Sequence, residues 1–206
     1  MSLPNVIKKH TYADYLTWPE NERWELINGL PYNMTPAPST EHQRISRELV
    51  LQFARYLAGK TCEVFYSPFD VRLPLAQEKD EEIETVVQPD LAIICDRSKL
   101  DKRGCKGAPD LIIEIISPAT AKKDMQEKFL LYERSGVKEY WLVFPLDSVI
   151  DVYALNEDNK YERTGLYQYP DKIKVGILAD LDIDLGLVFL KDQDEFTQRR
   201  YQPVPL

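Results

Sequence analysis

Two short stretches set proline and aspartate at the head of an apolar run, Pro89-Asp90-Leu91 and Pro109-Asp110-Leu111. The second run, Ala108–Ser117, reads Ala-Pro-Asp-Leu-Ile-Ile-Glu-Ile-Ile-Ser and carries a further carboxylate at its middle, Glu114. Side chains alternate across a strand, so Asp110, Ile112, Glu114 and Ile116 share one face, and Leu111, Ile113, Ile115 and Ser117 the other. Both faces are mainly apolar, which predicts a strand covered on both sides. A carboxylate in such a strand is costly unless its charge is paired or used. Proline–aspartate pairs are ordinary turn punctuation, and a buried ion pair would account for Glu114 alone. Asp90 and Glu114 on successive strands suggest a hard divalent cation, which takes oxygen ligands and keeps several waters. With a lysine to orient the attacking water, such a pair is equipment for metal-assisted hydrolysis. Asp110 lies about 13 Å from Glu114 along the strand at roughly 3.3 Å per residue, too far to share an ion, and reads as structural.

The elements that must position these groups follow from periodicity. Trp24–Ile27 and Leu30–Met34 flank Asn28-Gly29, a hairpin signal because both turn positions need φ > 0. A short helix over 11–18 precedes them. Thr40 with Gln43 makes a capping box that opens an amphipathic helix to about Ala58, with Ile45, Leu49, Phe53 and Leu57 on its apolar side. Cys62–Tyr66, Phe69–Leu73 and Val86–Cys95 predict strands, 76–85 a charged loop, and 97–107 a basic loop. Ala121–Ser135 predicts a helix with Met125, Phe129, Leu130 and Tyr132 on its apolar side, stopped by Gly136. Lys138–Phe144 predicts the next strand, so strand, crossover helix and strand form a βαβ unit with a parallel pair. Weaker strand signals lie at Ser148–Ala154, Lys160–Thr164, Ile173–Leu178 and Leu181–Leu185. The expected organisation is one domain over 1–191 and a polar tail over 192–206.

A chain of 206 residues suits one sizeable core. No run approaches the ~18 apolar residues of a membrane span, and the N-terminus has no apolar leader. A cytoplasmic protein without membrane contact is expected. Cys62, Cys95 and Cys105 are odd in number and lack CxxC spacing, which predicts free thiols in a reducing compartment. Two histidines do not build a histidine-rich metal centre. The net charge of −8 argues against non-specific nucleic-acid binding by the surface as a whole. The charge is uneven, however: Arg97–Lys138 holds ten Lys/Arg against six Asp/Glu. The basic loop of Arg97, Lys99, Lys102, Arg103 and Lys106 either contacts phosphates or simply faces water. No GxSxG or glycine-rich phosphate loop points to acyl or phosphoryl transfer.

Taken together, these stretches resemble the PD-(D/E)xK nuclease superfamily, and more closely its Uma-type restriction endonuclease branch. The resemblance is carried by Trp24-Glu25-Leu26-Ile27-Asn28-Gly29, Pro38-Ser39-Thr40-Glu41-His42-Gln43 and Gln88-Pro89-Asp90-Leu91. It continues through Gly107-Ala108-Pro109-Asp110-Leu111, Glu114-Ile115-Ile116-Ser117-Pro118, Asp124, Lys128, Tyr132, Gly136-Val137 and Glu139-Tyr140-Trp141-Leu142-Val143. It implies an α/β (α+β) fold with a restriction-endonuclease-like core, in which a central mixed β-sheet is flanked by helices and preceded by an N-terminal hairpin and helix. It implies Mg²⁺-dependent endonuclease activity, with Mn²⁺ as a substitute, on a nucleic-acid partner, DNA being the first expectation, by a homodimer.

By the same resemblance Asp90 and Glu114 are the metal-binding acids. The superfamily's lysine falls two residues after the second acid, where this chain has Ile116. Lys128, on the following helix, matches the lysine of this branch, with Asp124 and Tyr132 one turn before and after it on the same face. Glu25 and His42 match accessory positions. The departure at Ile116 keeps a second reading open, a catalytically inactive module that retains the nuclease fold for binding.

Overall fold

The computed structural model describes residues 8–19, 21–34 and 37–189. In chain order, α1 (Tyr12–Tyr15) leads into the hairpin β1 (Trp24–Ile27) and β2 (Leu30–Asn33). Asn28 and Gly29 take positive φ at its turn, as an Asn-Gly corner requires. The long helix α2 (Thr40–Leu57) follows. Its cap is Ser39 rather than Thr40: the Ser39 hydroxyl accepts from the His42 amide, and Thr40 is already helical. The one-residue shift places His42, not Gln43, at the third helical position.

Next come β3 (Glu63–Tyr66), β4 (Val71–Arg72), β5 (Val86–Val87) and β6 (Leu91–Ile94). The apolar stretch from Val86 to Cys95 is therefore two strands, broken at Gln88-Pro89-Asp90 and paired in different sheets. The basic loop folds as a small hairpin, β7 (Leu100–Asp101) and β8 (Gly104–Lys106), ahead of β9 (Leu111–Ile115). After β9 the chain makes a π-helical turn (Lys123–Lys128) that runs into α3 (Phe129–Ser135). Gly136 ends α3 in the left-handed conformation, the usual glycine stop. β10 (Glu139–Phe144), β11 (Val149–Leu155), β12 (Tyr161–Gln168), β13 (Lys172–Lys174), β14 (Asp182–Asp184) and α4 (Leu185–Val188) complete the described chain. The tail expected from Asp192 lies outside the described residues.

The central sheet is mixed, in the order β12-β11-β10-β9-β6-β3. β9 and β10 are parallel, with Glu114 opposite Leu142, as the βαβ unit requires. β6 and β9 are antiparallel. A second sheet, β2-β1-β5-β4-β8-β7, takes in the N-terminal hairpin. One face of the central sheet (Leu91, Ile93, Leu111, Ile113, Ile115, Trp141) packs on α2 through Ile45, Leu49 and Phe53. The other face (Ala92, Ile94, Ile112, Tyr140, Leu142) packs on Leu131 and Tyr132 of α3 and on Val71 and Val87 of the second sheet. Glu114, one strand position pair beyond Ile112, points to this second side.

Cys62 and Cys95 are joined in a disulfide, and Cys105 is the free, buried thiol. The expectation of three free thiols is corrected. β3 pairs with β6 through Glu63 opposite Ile94, so the two cysteines are the next cross-strand neighbours, 33 residues apart in sequence. No local spacing signals such a pair, and the inference of a reducing compartment from the thiols falls with it.

Candidate functional site

The antiparallel register sets Leu91 opposite Ile113, and one step further along both strands Asp90 stands beside Glu114. The two are tied together: the Ile115 amide donates to Asp90 Oδ2 at 2.8 Å. The same oxygen lies 3.1 Å from His42 Nε2, so the cap of α2 aims its histidine at the strand edge.

Glu114 and Lys128 are buried, 4% and 3% exposed. Glu114 Oε1 accepts from Lys128 Nζ at 2.9 Å and from the Tyr132 hydroxyl at 2.8 Å. Lys128 Nζ also lies 2.7 Å from Glu25 Oε1 and 3.6 Å from Asp124 Oδ1. Glu25, on β1 and fully buried, receives Lys123 Nζ at 3.0 Å on its other oxygen and the Gln88 amide at 3.0 Å. The hairpin, the sheet and the π turn thus meet at one ammonium group. The Tyr140 hydroxyl donates to the Asp124 carbonyl at 3.1 Å, and Thr120 hydrogen-bonds the Asp124 side chain; both fix the head of the π turn.

A regular amphipathic reading would bury Met125 and Leu130, but both are exposed, while Asp124 and Lys128 are buried. Two causes combine. The π turn, with hydrogen bonds reaching i→i+5, displaces the α-helical face, and the carboxylates of the sheet offer the lysine a partner that no apolar residue could match. All seven residues named from the sequence, Glu25, His42, Asp90, Glu114, Asp124, Lys128 and Tyr132, are in this region. Lys123 was not among them, although the Lys122-Lys123 doublet at the head of the helix was a signal for a second cation. Asp110 lies apart and takes Lys138 Nζ at 2.7 Å and the Cys95 amide at 2.8 Å.

The electrostatics are unbalanced. Burial, together with Asp124, Asp90 and Glu25, pushes the Glu114 carboxyl up to about 8 against the pull of Lys128. Burial likewise raises Asp124. Glu25 is held below the usual carboxylate range despite its burial, because Lys128 and Lys123 both face it. Burial works against the Lys128 charge, yet Glu114, Glu25 and Asp124 raise it well above an ordinary lysine. Burial and the neighbouring Glu114 hold the Tyr132 hydroxyl protonated. Glu25, Glu114 and Asp124 face Lys128 and Lys123, with Asp90 beside Glu114, so the acids outnumber the ammonium groups. Among the described residues no three His, Cys, Asp or Glu side chains form a ready-made metal cage.

The basic loop is largely taken up internally. Arg97 pairs with Glu63 at 3.1 Å, Lys99 donates to the Ala108 carbonyl at 2.8 Å, and Arg103 and Lys106 each lie 3.7 Å from Asp80.

Comparison with known proteins places the chain in a family. Residues 12–186 match the family model Uma2, described as "Putative restriction endonuclease". The chain belongs to the Uma2 family. A curated relative in sequence, "Uncharacterized protein slr1290" of Synechocystis sp., is 28% identical over 183 residues, covering 85% of this chain and 92% of that protein. In structure, the chain resembles a protein from Anabaena variabilis titled a "putative nuclease belonging to DUF820", with TM-score 0.69 and 20% identity over 87% of this chain and 97% of that one. The family assignment rests on the sequence match, and the structural likeness bears on the fold alone. No helix among the described residues is long and apolar enough to cross a membrane.

Proposed function

We propose that this Uma2 chain is a Mg²⁺-dependent endonuclease acting on DNA, with Asp90 and Glu114 holding the cation. The observation that carries this reading is the placement of Asp90, at the head of β6, beside Glu114 of β9, whose carboxylate takes a buried lysine delivered by the next helix. Both hydrogen bonds to Asp90 go to Oδ2, which leaves Oδ1 for a cation. Mg²⁺ would supply Lewis-acid polarisation of the phosphoryl oxygens. The protein does the rest. Lys128, held by Glu25 and Asp124, donates a hydrogen bond to the attacking water or to the charge that develops on phosphate. Tyr132 fixes the Glu114 oxygen that Lys128 also uses, and His42 fixes Asp90. In hydrolysis, the water oxygen bonds to phosphorus, the bond to the leaving sugar oxygen breaks, and a proton from water is replaced on that leaving oxygen. Cleavage of both strands would use two copies of the chain.

Parent protein should cleave DNA with Mg²⁺ or Mn²⁺ and lose cleavage on chelation. Glu114→Ala should abolish it, by at least about 10³-fold, while circular dichroism and melting show a folded protein. Equal cleavage by parent and variant would remove the proposal. A second reading, a binding module without catalysis, is favoured by Ile116 in the usual lysine position and by the internal pairing of the basic loop. Calorimetric titration with Mn²⁺ separates the two: the nuclease binds the ion and Asp90→Asn weakens it, whereas the module shows neither.

A further inference from the structure

A shallow, largely open cleft of about 390 Å³ lies beside the carboxylate cluster and is not used by it. Its walls include Phe69, Asp70, Gln88, Lys102, Arg103 and Gly104. Gln88 joins it to the cluster: the Gln88 amide donates to Glu25, while its side-chain nitrogen donates to Asp70 Oδ1 at 2.9 Å. Asp90 is two residues further on, at most about 7 Å of extended chain.

The polar groups of the cleft have a definite polarity. Asp70 Oδ1 accepts from both Gln88 Nε2 and the Tyr15 hydroxyl. Asp70 Oδ2 has no hydrogen-bond partner among the described residues and is open to a donor, whereas the cleft's other carboxylate, Asp101, is taken up by the Arg72 guanidinium and the Arg103 amide. Burial raises the Asp70 carboxyl from its ordinary value, a sign that water solvates it poorly. Phe69 forms an aromatic wall, with its ring stacked on Phe65 at a centroid distance of 4.3 Å. At the rim, Lys102 is exposed and Arg103 half exposed. Gly104 lets the β7–β8 turn close on this wall, since a Cβ there would fall 2.2 Å from the Asp70 carbonyl oxygen.

An aromatic face, one hydrogen-bond acceptor and a cationic rim are complementary to a nucleotide: base against ring, amino group to carboxylate, phosphate to Lys102 and Arg103. We propose that this cleft binds a nucleobase carrying an exocyclic amino group, adjacent to the phosphodiester presented to Asp90 and Glu114. Asp70 is then a specificity-determining residue of the chain. The inference rests on the nuclease reading for its place in the reaction, but not for the binding itself.

The test is an NMR titration of the full chain with the 5′-monophosphates of deoxyguanosine, deoxyadenosine and deoxycytidine, against those of deoxyinosine and deoxyuridine, which lack the amino group. The three amino-bearing nucleotides should bind about tenfold more tightly, with shifts at Phe69 and Gln88, and Glu114→Gln should keep that order. Asp70→Asn should flatten it, because each of the five bases carries an acceptor for the Asn amide. The Asn carbonyl would stay on Gln88 and Tyr15, turning the amide nitrogen, a donor, towards the base. Phe69→Ala should weaken all five by about tenfold or more. Equal or absent binding of the five nucleotides, or an order unchanged in Asp70→Asn, would overturn the proposal. Because no turnover is read, a protein that binds in this order but does not cleave refutes only the nuclease reading. A protein that cleaves DNA but shows no order refutes only this one.

Discussion

Lys128 and Arg72 are both cations sunk in the interior, and each is surrounded by carboxylates. Arg72 is fully buried; its guanidinium meets both oxygens of Asp80 at 2.6 Å and Asp101 Oδ2 at 2.7 Å, and it lies over the Tyr12 ring. Arg103 and Lys106 stand further out on Asp80. There, three cations serve two acids. Asp101, despite the opposing effect of burial, is held below the usual carboxylate range by Arg72. Around Lys128 the ratio is reversed, and Glu114 is left with a carboxyl near 8. The first knot has cations in excess and stitches the 74–85 loop to the β7–β8 hairpin. The second has negative charge in excess, stored where a cation could enter. Buried charge alone does not mark a site; the sign of the imbalance does.

The sharpest way to break this comparison is to remove each cation in turn. Lys128→Met should lower DNA cleavage by at least about 10²-fold and cost roughly 3–5 kcal/mol of unfolding free energy, because Glu25, Glu114 and Asp124 are left facing one another. Arg72→Met should cost a similar amount, about 3–5 kcal/mol in urea denaturation, yet leave cleavage per folded molecule unchanged. A fall in specific activity in this second variant would mean that the two knots are not separate.

The knots should also answer pH in opposite directions. Glu114 has a folded pKa raised above its unfolded value, so the metal-free fold binds the extra proton between them. Stability should therefore fall as pH rises from about 4.5 to about 8. Glu114→Gln should flatten that limb of the melting-temperature profile, and Mg²⁺ should do the same in the parent. Asp101 has a depressed folded pKa, so its contribution is present above the unfolded value and is lost only as pH falls through the acid range. A parent profile that rises between pH 5 and 8 would contradict the imbalance at Glu114.

The smallest expected effect belongs to Tyr132→Phe. Removing one hydroxyl from Glu114 Oε1 should cost about 1 kcal/mol and reduce cleavage by no more than roughly tenfold. Differential scanning calorimetry and initial rates would measure both.

Much of the fold was legible because it is written locally. Asn28-Gly29 fixed its hairpin, the run around Glu114 its strand, and Gly136 its helix stop. Asp90 and Glu114 stood out because an ionisable group in an apolar strand contradicts its surroundings. What could not be read depends on contacts distant in sequence or on irregular backbone. The pairing of Cys62 with Cys95 follows from a β3–β6 register that no spacing reveals. Pro89 divides one apolar run between two sheets, where continuity suggested a single strand. Glu25 entered through the family resemblance alone, and only the docking of its hairpin makes it the partner of two lysines. Met125 and Leu130 occupy apolar positions of an ideal helix, but the helix is not ideal there.

That irregularity reaches beyond geometry. A π turn is in effect an α-helix carrying one residue too many, accommodated here between Lys123 and Lys128 while α3 keeps its seat on the sheet. Deleting one residue of that turn would restore the regular step of about 100° per residue and so change which of Lys123, Asp124 and Lys128 face Glu25 and Glu114.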